Sequence, residues 1–522
     1  MRLGIDFGTT RTVVASVEHG SYPVCTFDVH GEAREFIPSL VAVRKGELRF
    51  GWEAAACLSE PEARVLRSVK RLAATHRPGD TVDLAPGHAP TLLELLTGFL
   101  THVREMIRTR SNLMGDTTEL AAMVATPASA NSNQRYLTLE AFERAGFDVI
   151  ELMNEPSAAA VEYVHRALRD LGPRSPKRYV AVYDLGGGTF DTSVVGFADQ
   201  RYEVLTHTGI GHLGGDDFDL LILERAVRQA LAEDTTLDAA AMDVDLPLAT
   251  RLLEECRERK EGLTPRMRKL LVDLSALTGR ETEVLLPTPE VYEDCEPLIR
   301  QTVDAVQGVL LRLAALGIDP EDSRSLAAVY LVGGSAAFPP VARALRETFG
   351  RKVQCAPYPH AATAIGLALA ADPEARVRVQ EVASRHFGVW RELDAGRDKV
   401  FDALIAKDNA LDAESRPLQV VRRYRPTHNI GHLRYMECGA LGADGQPVGD
   451  LGSWQEIHFP YDPGLRDSRA LANVAVEHRP DLADHEILET YTYEPDGIIR
   501  VEIENRTAGY RRVFSLGREL SV

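Results

Sequence analysis

The stretch DLGGGTFD, Asp184 to Asp191, has a shorter counterpart near the start of the chain, DFGTT, Asp6 to Thr10. Each follows an apolar run, YVAVY in one case and LGI in the other, and each leads into another, TSVVGF and TVVASV. Strand, tight polar turn, strand is thus written twice. Glycine at such a turn tolerates positive φ and lets backbone N–H groups approach an anion, because no Cβ intervenes. A concave nest of N–H groups favours phosphate, threonine hydroxyls add donors, and a neighbouring carboxylate can hold hydrated Mg²⁺ through its waters. One glycine-rich hairpin is commonplace. Two in equivalent strand contexts predict a pair of turns that grip a polyphosphate from both sides.

The chain is too long, at 522 residues, for one hydrophobic core, so several domains are expected. Apolar residues at 44% and charged ones at 26% describe a folded globular chain. A formal charge of −18 argues against nucleic acid or an anionic membrane as partner. No apolar run is long enough to span a bilayer and no secretory signal opens the sequence, so a cytoplasmic location is expected. The six cysteines are scattered without a CxxC pair, which gives neither a disulfide framework nor a zinc site support.

In chain order, EARVLRSVKRLAATH reads as a helix carrying Lys70 and Arg71 near an exposed end, and TLLELLTGFLTHVREMI as a core-facing helix. LAAMVATP is a strand ending at Pro127, and NQRYLTLEAFERAGF a helix closed by Gly146. In NEPSAAAVEYVHRAL, Pro156 suits a first helical turn, which puts Glu155 at a loop-to-helix junction where it can face a cleft. GIGHLGGDDFD is a glycine-rich bend, and ATRLLEECRERKEGLTP a charged helix whose face is largely solvated. LAAVYLVGGS followed by FPPVARALRETFG reads as strand, Gly-Gly turn and helix, a layout that presents a helix N-terminus to phosphate or ribose. AATAIGLALAAD is a small-residue helix able to lie flat on a sheet. From about Arg385 onward, short β-like runs alternate with Gly, Asp and Pro turns, including a hairpin at Asp496-Gly497. This is a separate β domain.

With DFGTT, NEPSAAA, DLGGGTFD, HLGGDDFD and LVGGS in this order, the chain resembles the Hsp70 chaperone family. The resemblance implies an α/β, actin-like ATPase domain of two ribonuclease-H-like lobes over 1–372, a linker over 373–386, and a C-terminal β-sandwich over 387–522 that lacks the helical lid. It implies ATP or ADP with Mg²⁺ as cofactors. Asp6, Gly8, Thr9 and Thr10 would form the first phosphate turn, and Gly186, Gly187, Gly188 and Thr189 the second. Gly214 and Gly215 would bend over the phosphates, with Lys260, Gly333, Gly334 and Ser335 on the adenosine side. Lys70, Glu155, Asp184, Thr189 and Asp191 would carry the chemistry, and Asp6, Asp184 and Asp191 would hold the metal, mostly through water. Pro127 and Arg135 match residues used in interdomain signalling.

Some positions depart from the family pattern. Ala337 replaces an arginine that covers the adenine face, a loss on the order of 1 kcal/mol of binding. Arg257 and Glu261 exchange the family's charges, and YPHA, with His360 and Ala361, replaces Asn-Pro-Asp-Glu. Glu151 stands where a basic residue contacts J-domain proteins, and VRVQEVASR where an apolar linker runs, which weighs against ordinary J-domain stimulation. The function implied is a slow ATPase chaperone that holds unfolded or apolar peptide segments. Val400, Phe401, Leu404, Ile430 and Leu433 are the groove candidates, although each suits a sandwich core better. The alternative is a nucleotide-binding scaffold with little hydrolysis, whose β domain binds one dedicated protein client.

Overall fold

The computed structural model describes every residue except 61–62, 114–116, 169–174, 199, 235–236, 238–245, 320–321, 323, 394–397, 410–416, 469, 516–517 and 521–522. Parts of LGPRSPKR (171–178) and FDALIAKDNALD (401–412) therefore lie outside the described residues. The chain divides into two compact units, Met1–Ala128 with Leu137–Val379, and Ser129–Tyr136 with Gln380–Val522.

The first unit contains two sheets built to one plan. Arg2–Phe7 pairs antiparallel with Arg11–Ser16 and parallel with Ala121–Thr126. Tyr179–Leu185 pairs antiparallel with Phe190–Ala198 and parallel with Leu326–Val332. Asp148–Asn154 and Ile37–Pro38 complete the five-stranded sheet. Val353–Cys355, Arg201–Ile210 and Arg378–Gln380 complete the six-stranded one. Their central strands are almost wholly buried, and Tyr179–Leu185 is buried at every position, as strands covered on both faces must be.

Helices Ala362–Ala371 and Glu155–Ala167 lie between the two sheets, the first on the five-stranded sheet, the second on the six-stranded one, and each against the other. Their crossing is made of backbone. Ala158, Ala159 and Ala160 are fully buried, and a Cβ on Gly366 would stand 3.1 Å from Ala158 Cα after colliding with its carbonyl. Outside this middle layer, Leu92–Arg110 starts on a Thr91–Glu94 capping box and sends Leu96, Phe99 and Val103 into one core. Phe218 and Ile222 of Gly215–Glu233 enter the other.

One expectation fails here. EARVLRSVKRLAATH is not a continuous helix: Arg64–Leu66 is a strand paired with Val41–Arg44, and only Val69–Leu72 is helical. Ser68, with φ of 57°, takes the left-handed conformation that interrupts the pattern. Lys70 is consequently buried, not solvated.

The second unit holds two antiparallel sheets. One runs Asp398–Ile405, His386–Leu393, Ile430–Leu441, Pro447–Pro460, and the other Leu418–Tyr424, Ile487–Tyr493, Ile499–Asn505, Tyr510–Ser515, Arg518–Leu520. Phe387, Tyr435 and Ile457 of the first share a core with Tyr491, Val501 and Ile503 of the second. Phe401, Leu404, Ile430 and Leu433 are buried and Val400 is half-buried, so most of the groove candidates are occupied in packing.

Candidate functional site

Both glycine-threonine turns are fixed by backbone hydrogen bonds at the ends of central strands. Gly8 N–H donates to the Arg11 carbonyl at 3.0 Å, and Ser39 braces the turn by donating from its N–H to the Thr10 carbonyl and from its hydroxyl to the Gly8 carbonyl, both at 2.9 Å. Gly186 N–H donates to the Thr189 carbonyl at 3.0 Å. The glycine-rich bend is strapped to this second turn: Gly215 N–H donates to the Gly186 carbonyl at 3.0 Å and Asp216 N–H to the Gly187 carbonyl at 2.7 Å.

The two turns face each other. A Cβ on Gly187 would lie 2.9 Å from Thr10 Oγ1, and one on Gly188 would lie 2.8 Å from Thr9 Cγ2. A Cβ on Gly214 would lie 2.6 Å from the Gly187 carbonyl oxygen. Gly333, with φ of 86°, brings the next turn against Asp184, whose Oδ1 a Cβ would approach to 2.6 Å. Glycine is therefore demanded by close approach at four positions named from sequence. Any side chain at Gly187 or Gly188 pushes the two turns apart, and one at Gly214 or Gly333 collides with the backbone around the second.

Beneath the turns lies a cluster of acids. Asp184 and Asp191 are 8% and 1% exposed. Burial, then the field of Glu155, pushes the Asp6 carboxyl up to about 7 despite Lys70 nearby. Burial, then Glu155, Asp6 and Asp191, pushes Asp184 well above the ordinary carboxylate range. Such shifts mark a place where negative charge is crowded and under-compensated, which a cation relieves. Among the described residues, no three carboxylate, imidazole or thiol groups converge closely enough to ligate one ion. An ion here would be held through its hydration shell, as Mg²⁺ commonly is. Lys70 Nζ sits 2.6 Å from Glu155 Oε1, both side chains being about nine-tenths buried. Thr189 is half-buried at the lip of its turn.

On the other side of the bend, Lys260 Nζ donates to the Gly215 carbonyl and pairs with Asp219, each at 2.6 Å. Lys260 is 5% exposed, so this part of the charged helix is a buried contact, not a solvated face. The Gly-Gly turn after Leu326–Val332 leads into the 3₁₀ turn Gly334–Ala337, and the α-helix begins only at Pro339. A cavity of about 300 Å³ opens here, lined by Arg11, Lys260, Glu261, Gly334, Ser335 and Ala337 among others.

Sequence reasoning missed a set of arginines. Arg67 reaches Asp216 at 2.9 Å and both Asp219 and Glu254 at 3.1 Å, Ser68 Oγ donates to Asp216 at 2.5 Å, and Arg71 pairs with Asp217 at 3.3 Å. Arg11 pairs with Glu261. The acidic run DDFD after the bend was the available signal, since carboxylates drawn out of solvent, Asp219 above all, require cations from elsewhere in the fold.

Residues 91–383 match the family model described as Hsp70 protein. Over 396 residues, 73% of this chain, the sequence is 32% identical to the Chaperone protein HscA homolog of Aromatoleum aromaticum, covering 59% of that protein. It is 30% identical over 374 residues to the Chaperone protein DnaK of Mycoplasmopsis pulmonis, covering 70% of this chain and 57% of that one. A Chaperone protein HscA homolog of an Azoarcus species matches at 31% over 400 residues. The chain thus spans under two thirds of the length of these relatives.

Proposed function

Since this chain belongs to the Hsp70 family, we propose that its first unit is an actin-like ATPase clamp of two ribonuclease-H-like lobes. In this reading the cleft binds Mg-ATP and hydrolyses it slowly. The observation that carries the proposal is the apposition of Gly187 with Thr10 and of Gly188 with Thr9. The Thr9 and Thr10 side chains of one turn abut the glycines of the other there, and a polyphosphate seated between them would find donors on both sides. Gly214 and Gly215 close the cradle, and Asp6, Asp184 and Asp191 hold Mg²⁺ through its waters. The metal supplies charge neutralisation when bound. Lys70, positioned by Glu155, stabilises the negative charge that develops as water attacks the terminal phosphate, while Thr189 orients that phosphate. Lys260, Gly333, Gly334 and Ser335 take the nucleoside.

The second unit is proposed to hold apolar peptide segments as a chaperone's β-sandwich does, with the ATPase domain proposed to end near 372 and the β-sandwich to begin near 387. Among the described residues no helix is long and apolar enough to cross a membrane; a cytoplasmic location is part of the proposal. The test is titration calorimetry of the full chain with ADP and ATP, with Mg²⁺ and with EDTA, followed by single-turnover hydrolysis. Mg²⁺-dependent binding at one site and turnover slower than release are expected. A folded protein that takes up neither nucleotide would overturn the clamp.

A further inference from the structure

Lys260 stands on the wall of the cavity beside the clamp with its ammonium already engaged twice. The Gly215 carbonyl accepts one of its donors and Asp219 pairs with another, so one of the three remains for a ligand. Asp219 is fully buried, and a carboxylate that far from water is costly unless cations compensate it. With Lys260 as its sole partner it would draw that ammonium off the wall. A second cation prevents this: Arg67 Nη2 donates to Asp219 at 3.1 Å and to Asp216 at 2.9 Å, while its Nε meets Glu254 at 3.1 Å. Glu254 passes the contact on, accepting from Arg257 Nε at 2.8 Å, and Arg257 reaches Glu261 of the cavity wall at 3.3 Å. Two relays thus leave Arg67, and both end where a nucleoside would lie.

Arg67 belongs to the other half of the unit. Its neighbours Leu66 and Val69 pack into the core of the five-stranded sheet, whereas Phe218, next to Asp219, and Cys256, on the helix of Glu254, pack into that of the six-stranded one. Its side chain, 10% exposed, therefore spans the cleft. Asp216, Asp219 and Glu254 are met at once, which the directed donors of a guanidinium do and the single ammonium of a lysine does less well. We infer that Arg67 is a positioning residue for the nucleoside, holding Lys260 and Glu261 at the cavity face from across the cleft. This rests on the nucleotide reading of the cleft, in which phosphates held between the two turns leave the nucleoside against Gly215, Lys260 and Ser335. The phosphate turns are fixed by backbone hydrogen bonds of their own, so the grip on phosphate does not depend on Arg67.

The experiment measures dissociation constants for Mg-ADP and for magnesium pyrophosphate, which carries the phosphates without a nucleoside, by titration calorimetry on the full chain. The proteins compared are the natural one, Arg67→Lys, Arg67→Met, Lys260→Met, and the double variant of Arg67→Met with Lys260→Met. Arg67→Met should weaken Mg-ADP on the order of tenfold and leave pyrophosphate unchanged. Arg67→Lys should recover part of that loss, and it keeps a cation beside the buried carboxylates should Arg67→Met fail to fold. In the double variant the two losses should not add, because both run through Asp219. Equal weakening of Mg-ADP and pyrophosphate by either Arg67 substitution overturns the inference and leaves the clamp standing. Unchanged Mg-ADP affinity, or losses that add in full, also overturns it. Natural protein that binds neither probe overturns both.

Discussion

Lys70 and Glu155 come from segments far apart in sequence, yet they meet at 2.6 Å with little exposure on either side. A buried ammonium already paired with a carboxylate contributes little to ground-state affinity and much to a transition state that gains negative charge. Lys70→Ala is expected to slow single-turnover ATP hydrolysis on the order of a hundredfold or more, with the calorimetric affinity for ADP nearly unchanged. Asp6 gives a second, metal-free readout. Its folded carboxyl titrates near 7 against an ordinary value of 3.8, so between those values the folded state holds more proton than the unfolded chain. The resulting stabilisation is full below the ordinary value and is lost as pH rises through about 7. In EDTA without nucleotide, melting temperature should therefore fall across that window, and Asp6→Asn should flatten the slope. The turns were legible in the sequence because Asp-x-Gly-Thr chemistry is local. The Lys70–Glu155 contact was not, since the left-handed Ser68 that turns Lys70 inward leaves no compositional mark.

At the scale of elements, two contacts decide how rigid each unit is. The crossing of Glu155–Ala167 with Ala362–Ala371 depends on Gly366, where any Cβ meets the Ala158 backbone. Gly366→Val should destabilise the first unit by about 1–3 kcal/mol and, by displacing the helix that begins at Glu155, lower turnover more than it lowers ADP affinity. Denaturant titration and single-turnover kinetics on one preparation separate the two effects. In the second unit the apolar core encloses a charged one. Glu489, fully buried, accepts from Arg391 at 2.7 Å, Tyr424 at 2.6 Å and Tyr491 at 2.5 Å, while Asp402 holds Arg391 at 2.8 Å and Arg422 at 2.9 Å. Burial keeps both tyrosine hydroxyls protonated as donors. Removing one partner strands the others, so Glu489→Ala is expected to cost about 3–5 kcal/mol in denaturant titration. EILETYTY is one of the short β-like runs of the sequence, and the two-residue period of a strand puts Glu489 on the face of Tyr491. Nothing in that pattern announces that this face is inward, because a buried glutamate is rare unless a partner arrives from another strand.

For the molecule as a whole, the separate cores of the two units predict separate responses to ligand. In calorimetry of the full chain, saturating Mg-ADP should raise the melting of the first unit, by about 2.7 kcal/mol at a hundredfold excess over Kd. The transition of the second unit should move far less, and tryptophan fluorescence follows it because Trp390 and Trp454 lie in its strands while Trp52 belongs to the first. The layer between the two sheets of the first unit is a pair of helices touching through alanine and glycine backbone, with scarcely a rotamer between them. Seated that closely, Gly366 on Ala158 fixes how the two helices cross. The tilt between the two sheets is thereby inherited from a single glycine, and a ligand entering between the glycine-threonine tips is expected to meet jaws already set.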